Sequence, residues 1–190
     1  MWHSMKSMSG SLKRAFAAFG GDRRGVSAVE FALILPLMVG LYLGGVEATE
    51  AISADRKVTL TAGALANLAA QATTLSTTDM TNILNASASV MYPYSTSNMT
   101  AVISCLSIDA NKKVTVSWSQ TLNGTARAIG STVTLNSDLA IPKTQLLLSE
   151  VTYNYTPAIG YVITGTLALS DKMYMAPRIS APSYAGTACS

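Results

Sequence analysis

From Val26 to Val46 the chain runs for 21 residues with one charge, Glu30. As a helix rising 1.5 Å per residue, this stretch is about 31 Å long, which matches the hydrocarbon thickness of a bilayer. The strictly uncharged part, Phe31–Val46, is 16 residues, so the apolar core of a signal peptide is a rival to a membrane-spanning helix. Either way Glu30 is out of place. A carboxylate in hydrocarbon costs roughly 2.5–3.5 kcal/mol on insertion scales, and residues kept against that cost usually have a task. The alternative is a side chain reaching back to the headgroups near the end of an ordinary anchor.

Charge is distributed to suit a membrane reading. Up to Gly25 there are five basic residues (Lys6, Lys13, Arg14, Arg23, Arg24) against Asp22 alone, whereas the rest carries eight basic and nine acidic residues. The formal charge of +3 therefore belongs to a basic arm, which the positive-inside rule holds in the cytoplasm, and the body is close to neutral. A neutral body speaks against nucleic-acid binding, which needs a basic face on the folded domain. Charged residues are only 12% of the chain, and the mean hydropathy of +0.32 is high for a wholly soluble protein.

The arm, 1–25, contains a weakly amphipathic piece, Leu12–Phe19, ended by Gly20-Gly21. Beyond Glu47 the pattern turns amphipathic: Ile52, Leu60, Leu65, Leu68 and Ala69 alternate with Asp55, Arg56, Lys57, Asn67 and Gln71. This predicts one helix from about Val26 to Gln71, kinked at Pro36. Thr77-Thr78-Asp79 reads as the N-cap of a short helix with Met80, Ile83, Leu84 and Met91 on one side. From Thr100 the period changes to two. Thr100–Ile108, Val114–Thr121, Thr144–Thr156 and Thr164–Met175 read as strands, with Asp109–Lys113 and Asn123-Gly124 as turns. The expected class is α+β: a long N-terminal helix, half transmembrane and half amphipathic, packed on a small antiparallel sheet of about four strands. The expected divisions are a basic cytoplasmic leader (1–25), a transmembrane helix (26–46), a helical extension with a short helix (47–98) and a sheet domain (99–190).

Catalytic chemistry is hard to assemble from these residues. The single histidine is His3, in the arm, and no nucleophile–base set, metal cluster, phosphate-cradling loop or carboxylate pair stands out. No catalytic residue, cofactor or metal ligand is assigned. The asparagines at Asn98 and Asn154 sit in glycosylation-like triplets, read as products of a Ser/Thr/Asn-rich composition. The two cysteines, Cys105 and Cys189, follow the apolar run. If they lie outside the cytoplasm a disulfide is the default, closing a loop whose chain-entropy contribution is about 4.5 kcal/mol; two unpaired buried thiols are the alternative.

A basic arm, a glycine and a glutamate five residues later in an apolar segment resemble a type IV prepilin. Arg24-Gly25, then Ala28-Val29-Glu30-Phe31-Ala32-Leu33 and Pro36, are similar to the N-terminal box of the TadE-like minor pilins, or pseudopilins, of tight-adherence (Tad/Flp) pili. More loosely, Leu146-Leu147-Leu148-Ser149-Glu150-Val151, Tyr153, Tyr155-Thr156-Pro157 and Met175-Ala176-Pro177-Arg178 resemble that family's sheet region. The resemblance implies cleavage by a prepilin peptidase between Gly25 and Val26, leaving Glu30 one helical turn from the new ammonium of Val26 as an assembly determinant. It also implies other pilins, the pilus assembly machinery and inner-membrane lipid as partners. The implied placement is a single pass of the bacterial inner membrane, N-terminus cytoplasmic and C-terminal domain periplasmic, with possible entry into the pilus. Two other functions stay open: an adhesin-like binding module released by ordinary signal peptidase, with Tyr153, Tyr155 and Tyr161 on a binding face, and a plain unprocessed anchor.

Overall fold

In the computed structural model, residues 23–190 are described; the arm up to residue 22, with the amphipathic piece at Leu12–Phe19, lies outside them. The chain has two compact units, Met1–Val46 and Glu47–Ser190. Helix α1, Arg23–Gln71, runs through Pro36 and across the boundary between them. In the first unit Leu33, Leu37 and Leu41 are exposed, each by 65% or more, a surface costly in water and suited to lipid.

In the second unit the rest of α1 turns a stripe of small residues inward. Ala54, Val58, Ala62, Leu65, Ala66, Ala69 and Ala70 are buried, at helical spacing. The larger residues expected on that face, Ile52, Leu60 and Leu68, are exposed instead, while Leu65 and Ala69 are buried as expected. The reason is steric: alanines let a helix approach a sheet closely, so bulk is placed on the far side. A Cβ at Gly63 would meet the Met173 side chain at 3.9 Å, an ordinary contact.

After α1 come β1 (Thr74–Leu75), α2 (Thr77–Met91), a single 3₁₀ turn (Thr96–Asn98), β2 (Met99–Ile108), β3 (Val114–Leu122), β4 (Gln145–Tyr155), β5 (Leu167–Met175) and β6 (Ser183–Tyr184). The cap of α2 is Ser76, one residue before the expected Thr77-Thr78-Asp79. Its hydroxyl accepts from the Asp79 N–H, and the Asp79 carboxylate accepts from the Ser76 N–H, a reciprocal capping box. Four strands form an antiparallel sheet in the order β3-β2-β4-β5, so the α+β class and the four-strand sheet are as the sequence implies. β2 is central and almost wholly buried. A bulge sets Cys105 opposite Trp118 but Leu106 opposite Val116. One face of the sheet (Met99, Ala101, Ile103, Leu147, Val151, Tyr153) joins the α1 stripe in the main core. The other face (Leu106, Ile108, Val116, Leu148) is covered by Val133 and Leu135 from the long segment between β3 and β4.

The stretch after β5 is stitched down along its length. The Arg178 N–H donates to the Ala70 carbonyl at the end of α1, satisfying one of the orphan acceptors there. β6 pairs in parallel with β1, Trp118 Nε1 donates to the Pro182 carbonyl at 2.9 Å, and Cys189 is bonded to Cys105 with Cα atoms 5.9 Å apart. Of the two cysteine readings, the bridge is the one the structure has. Replacing both with Ala should lower unfolding stability by about 2–5 kcal/mol. Urea unfolding of the full chain in detergent measures it; an unchanged midpoint would show the stretch after β5 to be held without the bridge.

Candidate functional site

The residues singled out for processing and assembly lie in the first turns of α1. Gly25 is inside the helix, and a Cβ placed on it would meet nothing within 4 Å. Packing among the described residues therefore gives no reason for glycine at this position. The first N–H groups of a helix have no intrahelical acceptors, so the opening turn is the part that unwinds at least cost. Val26 and Glu30 are both exposed and stand at i and i+4, neighbours on one helix surface.

A second glutamate is invisible to sequence reading except as the end of the apolar run. Glu47 is 2% exposed, and its carboxylate accepts three backbone N–H groups, from Tyr161 at 2.6 Å, Val162 at 2.9 Å and Ile163 at 2.8 Å. These belong to the loop joining β4 to β5, residues 156–166, which is closed at its base by the Thr156 and Thr166 hydroxyls, 3.2 Å apart. One turn along, Glu50 takes part in the same corner. Its carboxylate accepts from the Tyr155 hydroxyl at 3.4 Å and its carbonyl from the Tyr94 hydroxyl at 3.2 Å. The Tyr94 ring lies edge-on to Tyr155 and tilted against Tyr153. The hydrogen bonds from Ile163 and Tyr161, with those from Val162 and Gly160, hold the Glu47 carboxyl below its ordinary value of 4.5 against the opposing effect of burial.

Because the folded value is depressed, the contribution of Glu47 is present above the unfolded value and is lost as pH falls through the folded one. The loop should therefore be anchored at neutral pH and loosen below about 4.5. Glu47→Gln, which lacks the charge and one acceptor oxygen, should give the loosened loop at neutral pH. Amides of residues 161–163 should exchange at least about tenfold faster in that variant. Equal protection in both proteins would show that the carboxylate does not hold the loop.

The proposed tyrosine binding face does not form. Tyr153 and Tyr155 are buried at 6% and 4% exposure, and of the three only Tyr161, at 64%, faces outward. Along a strand, odd-numbered residues share a face, and here that face is the core. Glu150 lies on the opposite face, paired with Arg127 and Lys172, a contact whose role is structural.

The described residues hold one helix long and apolar enough to cross a membrane, and it continues into the domain whose core it lines, which makes an α+β protein compatible with one membrane pass. Residues 25–72 match the model of the TadE-like protein family, so that segment of the chain is similar to TadE-like proteins. The matched segment holds Gly25, Val26, Glu30 and Glu47 and ends just after α1; the similarities noted near β4 and after β5 lie outside it. Neither the curated proteins nor the solved structures give a match.

Proposed function

We propose that this chain is a minor pilin or pseudopilin of the tight-adherence system, cut by a prepilin peptidase after Gly25 and acting in assembly, not catalysis. The observation that carries the proposal is Glu30, five residues after Gly25 at the head of an exposed apolar helix matched by the TadE-like family. Removing 25 of 190 residues leaves 165, beginning with an ammonium on Val26. That cation would sit at the positive end of the helix dipole, one turn from Glu30. Pairing within the chain or with a neighbouring subunit offsets the unfavourable placement of both charges and fixes register. The partners are then the peptidase, other pilins and the assembly machinery, with the basic arm cytoplasmic and the disulfide-bonded domain on the periplasmic side.

Release by ordinary signal peptidase near Ala48–Ala54 fits the fold poorly. It would separate Glu47 from the loop it binds and cut inside the helix that lines the core. Sequencing the N-terminus of the mature protein tests the reading. A start at Val26 is expected; a start after the Ala48–Ala54 region or an intact arm would overturn it.

A further inference from the structure

We propose that the β4–β5 loop, residues 156–166, rests in the headgroup region of the bilayer and gives the domain a second, interfacial contact with the membrane. The inference builds on the membrane-spanning reading of α1. Residues 156–166 carry no charge. Ile159, Tyr161 and Val162 are exposed by 52%, 64% and 57%, an apolar cluster around the turn that Gly160 makes at a φ of 67°. Isolated exposed apolar residues are ordinary, but three at one loop tip need a covering.

The tether says which covering. The backbone of this tip is bonded to Glu47, and Glu47 directly follows Val46, where the apolar run ends. Successive Cα atoms are about 3.8 Å apart, so a bilayer that ends near Val46 has its headgroups at the level of the loop. The treatment of Glu47 agrees. Its charge is satisfied by three N–H groups of the protein instead of water, which suits a site where water is scarce. A tyrosine flanked by aliphatic residues is also the composition found at membrane–water boundaries.

The full-length protein, reconstituted in phosphatidylethanolamine–phosphatidylglycerol vesicles, tests this with a single environment-sensitive fluorophore on Val162→Cys, Cys105 and Cys189 staying paired. Comparison labels go on Leu33→Cys in the apolar helix and Asn111→Cys in the β2–β3 turn. Lipids carrying a quencher near the headgroup should quench the Val162 label about twofold more than the Asn111 label, and more than lipids carrying it near the chain end, given the shallow depth of interfacial segments. A quenched Leu33 label with an unquenched Val162 label overturns the loop proposal and leaves the membrane reading standing. No quenching at Leu33 overturns the membrane reading and the loop proposal with it. A Val162 label shielded from water but untouched by either lipid quencher would assign the loop to a protein neighbour, a second copy included, and overturn the lipid contact.

Discussion

Gly25→Leu should accumulate as the full-length form in the membrane, with the shorter product reduced about a hundredfold or more, as when a bulky group meets a site built for a smaller one. The expectation is clean because the substitution harms nothing else. Among the described residues no atom beyond the adjacent residues and the helix's own backbone lies within 4 Å of a Cβ at this position, and leucine favours a helix over glycine by up to about 1 kcal/mol. The variant should therefore insert and fold at least as well as the natural chain. A loss of cleavage then has to arise in the peptidase subsite that receives residue 25. The measurement is the ratio of long to short forms by immunoblot, with the disulfide as a check that the domain has folded. Natural amounts of the short form from Gly25→Leu would refute cleavage after Gly25.

Glu30→Gln should separate insertion from assembly. Removing a charge from the apolar segment lowers the cost of insertion, by up to the roughly 2.5–3.5 kcal/mol assigned to a buried carboxylate. Cleavage should continue, since the cut bond lies one turn toward the polar side. What should fail is the step that uses the pair between Glu30 and the Val26 ammonium. An uncompensated buried charge is worth roughly 3–5 kcal/mol against the structure that contains it, enough to reduce pilus yield by orders of magnitude. A plain anchor predicts the reverse, with function intact and membrane retention equal or tighter. Cleavage and pilus yield must be measured on one strain, in a background where deleting the protein abolishes pili. Normal piliation there would make Glu30 a passenger.

Sequence conveys local periodicity well and distant pairing poorly, and this chain shows both. The long helix, the short helix and four strands were legible because each repeats its own period over nine residues or more. The inward face of α1 was not, because a stripe of alanines gives a weaker apolar signal than Ile52, Leu60 and Leu68, which point away from the core. The strand expected from Thr164 is β5, which begins at Leu167, because Gly165 takes a φ of 90° and the preceding residues belong to the loop. β1 and β6, two residues each, are held by contacts with segments more than a hundred positions away. In the candidate site, Gly25 and Glu30 were legible as a motif because their relation is a fixed spacing. Glu47 was not, since its partners are backbone N–H groups 114 to 116 positions along the chain, and backbone groups leave no mark in a sequence.

The position of the closing cysteine has a consequence for the order of events during export. In the proposed topology the chain crosses the membrane starting from α1, so Cys105 reaches the oxidising side with its partner still 84 positions further along the chain. Over that interval Trp118 lacks the Pro182 carbonyl, β1 lacks β6, and the end of α1 lacks Arg178. The chain has no other cysteine, so Cys105 cannot pair wrongly within its own molecule while it waits. In that topology bridge formation would work as a completion check on translocation: an oxidised monomer would be one whose residues have crossed at least as far as Cys189, and only such a subunit would arrive at a growing fibre with its domain locked.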